Sequence, residues 1–316
     1  MSDLVTRAQI TMLAQLLEVD AEQLRGLERL GADTVEELRI GLSSALFDAL
    51  ATVFTRVSKL APLIPDALAA TVAMKAVPSE VAGRAGGAVG MDHQHRAATL
   101  MVRMSSGYLA DAAPYVDPRV IPFFAPKLPF TLLVPTADEL LRRRDYLTAA
   151  RFVEYATDEH IREFERHVQD DVAIVRTAAM VSRTEVLNRI LRAAPPARRT
   201  RLAATVAAGE PETVAAALSL LGRIDAEFAG PMSSAVFEGL DERELARVCA
   251  LIIEGRAVPE LLDVLGYLSD ATVRGLVATG HLSDTVALEG AATTNRRRAG
   301  RQRVAAAATV RDPAAR

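Results

Sequence analysis

The stretch Asp92–Phe124, "DHQHRAATLMVRMSSGYLADAAPYVDPRVIPFF", decides the fold. Its two aspartates, Asp92 and Asp117, stand 25 residues apart, and Ser106 lies between them. After Asp92 the apolar positions are Ala97, Leu100, Met101 and Met104. After Ser106 they are Leu109, Ala112, Ala113 and Val116. Spacing of i, i+3, i+4, i+7 puts each set on one face of a helix. Upstream, Asp66 opens a third set, Ala69, Val72, Ala73 and Ala76, with Ser79 as the start of an intervening helix. The unit is two helices in about 25 residues. Helices this short are marginal alone and must bury their stripes against neighbours. Self-similarity at a short fixed period marks a helical solenoid. The expected fold is therefore all-α, an α-solenoid of short antiparallel helix pairs.

The same reading disposes of the histidine cluster. Asp92 is expected at the helix cap, with His93, Gln94 and His95 in the first turn. Corresponding starts read "VDPRVIPFF" at Asp117 and "LDERELARV" at Asp241. His93 and His95 are two residues apart, so on a helix they point to nearly opposite sides and do not chelate one ion.

Composition agrees. Half of the 316 residues are apolar, yet only 4% are aromatic and there is no Trp. That favours many closely packed helices over a β-sandwich. The net charge is −3, but the residues from Ala291 onward carry seven Arg and one Asp. A single cysteine, Cys249, excludes an internal disulfide and fits a reducing, cytoplasmic setting. The start "MSDLVTRAQI" has neither a basic head nor an apolar core, so no secretory leader is expected. The longest apolar run, "IGLSSALFDALATVF", is interrupted by Asp48, so no transmembrane segment is expected.

Four segments follow. Residues 1–65 hold N-terminal helices, including one long amphipathic helix over 34–60. Its apolar face is read as Leu42, Leu46, Leu50, Val53, Val57 and Leu60, with Arg39, Ser43, Asp48, Thr52 and Arg56 opposite. Residues 66–134 hold helical repeats ending in a joint rich in proline, from Pro114 to Pro135. An interior proline costs a helix about 3 kcal/mol, so broken turns or an extended crossing are expected there. Residues 135–290 hold a second set of repeats. Residues 291–316 lack apolar periodicity and are expected to be a disordered basic tail. Capping boxes are expected at Asp33–Glu36, Thr136–Glu139, Ser182–Glu185 and Asp241–Glu244.

The stretches "LAPLIPDALAATVAMKAVP", "SSGYLADAAPYVDPRVIPFFAPKLP" and "ADELLRRRDYLTAARFVEYATDEHIREF" carry a resemblance. Over about residues 60–280 the chain resembles the cytosolic N-terminal domain of the bacterial MgtE-type magnesium transporters. The shared cadence is Leu-Asp-Pro-like helix starts and Ile/Leu-Pro ends. The resemblance implies a right-handed superhelix of short helices. The transporters' paired regulatory nucleotide-binding-type modules and their membrane helices have no counterpart. Transport therefore does not carry over, and the motif places no ion-binding residue.

Candidate chemistry is sparse. In "HIREFERH", His160 and His167 are seven residues apart, about 10 Å along a helix, too far to share one ion. Glu163, Asp170 and Asp171, near Asp158 and Glu159, are the candidate oxygen ligands for Mg²⁺, opposed by Arg151, Arg162 and Arg166. "GRAGGAVG", Gly83–Gly90, lacks the Lys-Ser/Thr of a phosphate loop and reads as close helix packing or a helix stop. Cys249 reads as a buried small residue. No catalytic residue, cofactor site or nucleophile–base motif is legible. Arg296, Arg297, Arg298, Arg301 and Arg303 form a basic patch for nucleic acid, anionic lipid or an acidic partner. The expected function is a non-enzymatic cytoplasmic scaffold that binds a protein partner. The alternative is a regulatory module that senses Mg²⁺.

Overall fold

The computed structural model describes residues 3–60 and 65–309. It is all-α, with no strand among these residues. By packing, the chain divides into two units. An N-terminal unit holds Met12–Ala21 and Asp33–Gln169, and a C-terminal unit holds Met1–Thr11, Glu22–Ala32 and Asp170–Arg316. The division thus falls at 169/170 and not at the proline-rich stretch, which lies inside the N-terminal unit.

The chain opens with α1 (Leu4–Leu17), a 3₁₀ helix over Ala21–Leu30 and the long α2 (Ala32–Leu60). The bounds of α2 match the sequence reading, but its inward face does not. Val35 and Ser43 are buried and the Arg39 side chain is nearly so, while Leu46 is exposed. The stripe read from Leu50 to Leu60 lies outside the described side chains.

Short helices follow: α3 (Asp66–Ala76), α4 (Ser79–Asp92), α5 (Gln94–Val102), α6 (Ser106–Ala112) and α7 (Ile121–Phe124). Then come α8 (Phe130–Arg142), α9 (Tyr146–Val153) and α10 (Asp158–His167). Most of them pack on the helix next but one: α3 on α5, α4 on α6, α5 on α7 and α6 on α8. That is the contact pattern of a two-helix unit, with starts 24 to 28 residues apart. The glycine run serves close packing, as read. A Cβ on Gly83 would fall onto the Ala112 carbonyl, and one on Gly87 would lie 2.8 Å from Asp117 Cβ.

Helix starts differ in detail from the sequence reading. Asp92 is the last residue of α4, and His93 is the cap of α5, without a side-chain cap bond. Asp117 opens a turn before α7 instead of capping a helix, and is held by Arg119 through its backbone N–H and guanidinium. The prolines of 114–135 do break the chain into turns, with 3₁₀ segments at Ala113–Tyr115 and Ala125–Lys127. Yet α8 already starts at Phe130 and contains Pro135, so Thr136 is interior and bonds the Leu132 carbonyl. The capping box at Asp241–Glu244 is present, with both reciprocal bonds. At Ser182 there is none: Ser182 accepts from the Gln9 amide instead. Asp33 lies inside the first turn of α2.

The C-terminal unit adds α11 (Asp171–Met180), α12 (Thr184–Ala193), α13 (Pro196–Ala208), α14 (Pro211–Arg223) and α15 (Ala226–Phe237). It ends with α16 (Glu242–Glu254), α17 (Val258–Val264), α18 (Asp270–Ala278), α19 (Thr285–Ala291) and α20 (Asn295–Thr309). Here α11 packs most extensively on α14, and α14 on α17 and α17 on α20 continue that series, beside next-but-one pairs such as α13 on α15 and α18 on α20. Starts in the series α11, α14, α17 and α20 are 37 to 47 residues apart, so a three-helix spacing runs alongside the two-helix one in this unit. In α14 every residue from Thr213 to Leu221 is buried, as expected of a helix covered on all sides.

One device recurs. The last carbonyls of a helix have no partner within it and attract positive charge. Arg223, ending α14, donates to the Val181 and Ala179 carbonyls that end α11, at 2.6 and 2.9 Å. Arg151 in α9 does the same for Pro114 and Val116, at 3.0 and 2.8 Å. Arg303 in α20 does so for Leu268 at 3.0 Å.

The expected disordered tail is corrected over 295–309 by the same device, while residues 310–316 lie outside the described residues. Residues 295–309 form α20, packed on α17 and α18. The helix buries Arg297, Gly300 and Val304. A Cβ on Gly300 would fall onto the Leu262 carbonyl, so only glycine lets the two helices cross at this depth. Hydrophobic periodicity was absent because glycine and paired arginine make the contact.

Candidate interaction surface

The residues read as metal ligands are not brought together. Glu163 is held by Arg166, with His167 Nδ1 3.6 Å away. Asp170 caps α11 by accepting the Ala173 N–H at 3.0 Å. Asp171 faces Arg198 at 2.9 Å and Arg201 at 2.6 Å. Among the described residues, no group of three His, Cys, Asp or Glu side chains is placed to hold a metal ion. His160 is buried and its Nε2 lies 3.1 Å from the Leu128 carbonyl, a packing role.

The arginines of the basic patch are turned to the protein itself. Arg297 is buried between Asp263 at 2.8 Å and Asp3 at 3.4 Å. Arg296 donates to the Gly222 carbonyl at 2.8 Å and stacks on Tyr267. Arg301 pairs with Glu289 at 2.7 Å, and Arg303 with Asp270 at 2.5 Å. Arg298 bonds Asn295 in its own first turn. Every arginine read as a site for nucleic acid or an anionic surface thus has an internal partner. Cys249 is buried, and burial pushes its thiol up from its ordinary value, away from the thiolate a nucleophile needs.

Charge is also drawn in from solvent at α9 and at α17. Arg151 is half-buried in a cradle of two carbonyls, and burial, aided by Arg39, lowers its guanidinium to about 10. The other place is α17, where Glu260, only 2% exposed, meets the start of α1.

The surface differs between the units. Of the fourteen large apolar side chains found exposed, eleven belong to the N-terminal unit and only Leu30, Val172 and Ile253 to the other. Three of the helices that bear them pack in a row, α3 on α5 and α5 on α7. Leu68 and Val72 on α3 are 54% and 48% exposed, and they lie one turn apart on one side of the helix. Val102, ending α5, is 53% exposed, and Phe123 on α7 is 46% exposed. Exposed cations also stand at the ends of α3 and α5, Lys75 and Arg103, and at the end of the 3₁₀ segment that follows α7, Lys127. No acidic residue occurs over 93–104 or 118–130. The row thus carries exposed apolar side chains and three exposed cations, with Asp66 of α3 paired to Arg96 of α5 at 3.0 Å. Its helical pattern was legible in the sequence. The outward direction of Leu68, Val72 and Val102 was not, because Val72 belonged to a stripe that read as core.

No protein family, curated protein or solved structure matches the chain. Among the described residues no helix is long and apolar enough to cross a membrane.

Proposed function

We propose that this protein is a non-enzymatic helical-repeat scaffold that binds a protein partner along the row α3, α5 and α7. The observation that carries it is the set of half-exposed apolar side chains, Leu68, Val72, Val102 and Phe123, in contiguous helices of one unit. Contiguous exposed apolar surface rimmed by polar groups is the usual mark of a protein contact. Lys75, Arg103 and Lys127 select the partner's chemistry: an amphipathic segment with an apolar stripe flanked by Asp and Glu. The helix cadence shared with the magnesium transporters' N-terminal domain supports a helical-repeat module. The cation-sensing alternative draws no support from Glu163, Asp170 and Asp171, which arginines and a helix cap already occupy.

The test uses the immobilised full chain in three forms. These are the wild type, a triple variant Leu68→Ser, Val102→Ser and Phe123→Ser, and a control, Ile253→Ser, on the other unit. A protein retained by wild type and control but lost by the triple variant supports the reading. The same set retained by all three contradicts it.

A further inference from the structure

The first half of α2 presents to solvent a face of the kind that the row α3, α5 and α7 selects. Val35, Ser43 and the Arg39 side chain turn inward. On the opposite side Asp33, Glu37 and Gly41 follow at i, i+4 and i+8, and all three are exposed. Leu38 and Ile40 flank that line, Leu46 follows further along the helix, and these three are exposed as well. Nothing lies within 4 Å of a Cβ placed on Gly41, so the face is open there. Glu36 is paired with Arg39 at 3.4 Å, and no basic residue occurs over 30–38. The face is thus apolar and acidic.

The row has the opposite sign. Lys75, Arg103 and Lys127 are its exposed cations, and Asp66 is taken up by Arg96. Dimensions agree as well. From Asp33 to Leu46 an α-helix rises about 20 Å. Three helices side by side span two interaxial steps, about 16 to 20 Å. Both faces are turned to solvent on one unit, so they meet only between molecules. One such contact covers seven of the eleven exposed large apolar side chains of the N-terminal unit, three on α2 and four on the row. Apolar surface of that extent favours a partner over water.

We propose that the partner held by the row is a second copy of this chain, which lays the outward face of its α2 across α3, α5 and α7. This rests on the reading of the row as a protein contact and gives that partner an identity. The two surfaces differ, so the contact is heterologous. Each molecule offers one α2 face and one row, and copies add head to tail. A helix face of about 20 by 10 Å is well below the roughly 800 Å² per partner of a standard interface, so association is weak and depends on concentration. The opposite charges orient the encounter, and salt weakens it.

The experiment is sedimentation velocity of the full chain from low to high micromolar concentration, at low and at high salt. The mean mass of the wild type is expected to rise with concentration above that of one protomer, and to rise less in high salt. Two variants change only exposed side chains: Glu37→Lys with Ile40→Lys on α2, and the triple variant Leu68→Ser, Val102→Ser and Phe123→Ser on the row. Circular dichroism checks their helix content, and Ile40→Lys alone is the milder substitute on α2. Each variant by itself is expected to stay at one protomer. Mixed in equal amounts, they are expected to give a species of two protomers and nothing larger, because each pair retains one intact α2 face and one intact row. A wild type of one protomer at every concentration overturns the proposal. So does self-association that persists in either variant, or a mixture that stays at one protomer. If the wild type is a single protomer and the triple variant still loses a protein that the wild type captures, the row binds another partner and only this proposal falls. If the triple variant alters neither mass nor capture, the reading of the row falls with it.

Discussion

Replacing Arg297 with Ala should destabilise the C-terminal unit far more than replacing the exposed arginine beside it. The side chain is 10% exposed, and its guanidinium lies 2.8 Å from Asp263 and 3.4 Å from Asp3. Removing one partner of a buried pair leaves uncompensated charge and costs about 3 to 5 kcal/mol. Asp3 is 29% exposed and recovers some hydration, so the expected loss is about 2 to 4 kcal/mol. At roughly 2 to 4 °C per kcal/mol for a unit of this size, the melting temperature should fall on the order of 5 to 15 °C. Differential scanning calorimetry reads the shift. Arg298→Ala, one residue along and exposed, should change stability by less than about 0.5 kcal/mol. Asp263→Asn combined with Arg297→Met should recover part of the loss, since it removes the orphaned charge as well. Equal melting of Arg297→Ala and Arg298→Ala would refute the docking of α20 and restore the expectation of a disordered tail.

Gly300→Ala should destabilise the C-terminal unit through the Leu262 carbonyl, whereas Gly41→Ala, with open space around it in α2, should stabilise by about 1 kcal/mol. Chemical denaturation separates the two signs. Asp241→Ala should cost about 0.5 to 2 kcal/mol in the same assay, because it removes the carboxylate that accepts the Glu244 N–H at the start of α16. Melts in millimolar Mg²⁺ and in NaCl of equal ionic strength should coincide. A rise specific to Mg²⁺ would show that Glu163, Asp170 and Asp171 leave their arginine and cap partners for an ion.

The two-helix period around Asp66, Asp92 and Ser106 was legible because each stripe follows helical spacing without relying on distant partners. The length of α2 was legible for the same reason. Its inward face was not, since Val35, Arg39 and Ser43 turn inward while Leu46 stays out. Which face is covered depends on the neighbours, and over the described side chains of α2 polarity alone misplaced Leu46, Arg39 and Ser43. The capping box at Thr136 was a chance match: the helix starts six residues earlier and carries Pro135 within it. The boundary at Gln169–Asp170 has no glycine or proline to announce it. The carboxylates of 158–171 looked like a cluster because their partners Arg198 and Arg201 lie far along the chain, invisible to spacing. The arginines that close helix ends were hidden likewise. Arg151, Arg223 and Arg303 each reach back 35 residues or more.

The claim that the row α3, α5 and α7 is the binding face is tested most directly by a footprint. A protein captured by the wild type and lost by the triple variant is added back, and amide exchange is compared with and without it. Protection should appear over residues 66–76, 94–103 and 121–127 and leave α14 and α17 unchanged. Protection confined to the C-terminal unit, or absent from all three segments while the complex remains bound, would contradict it.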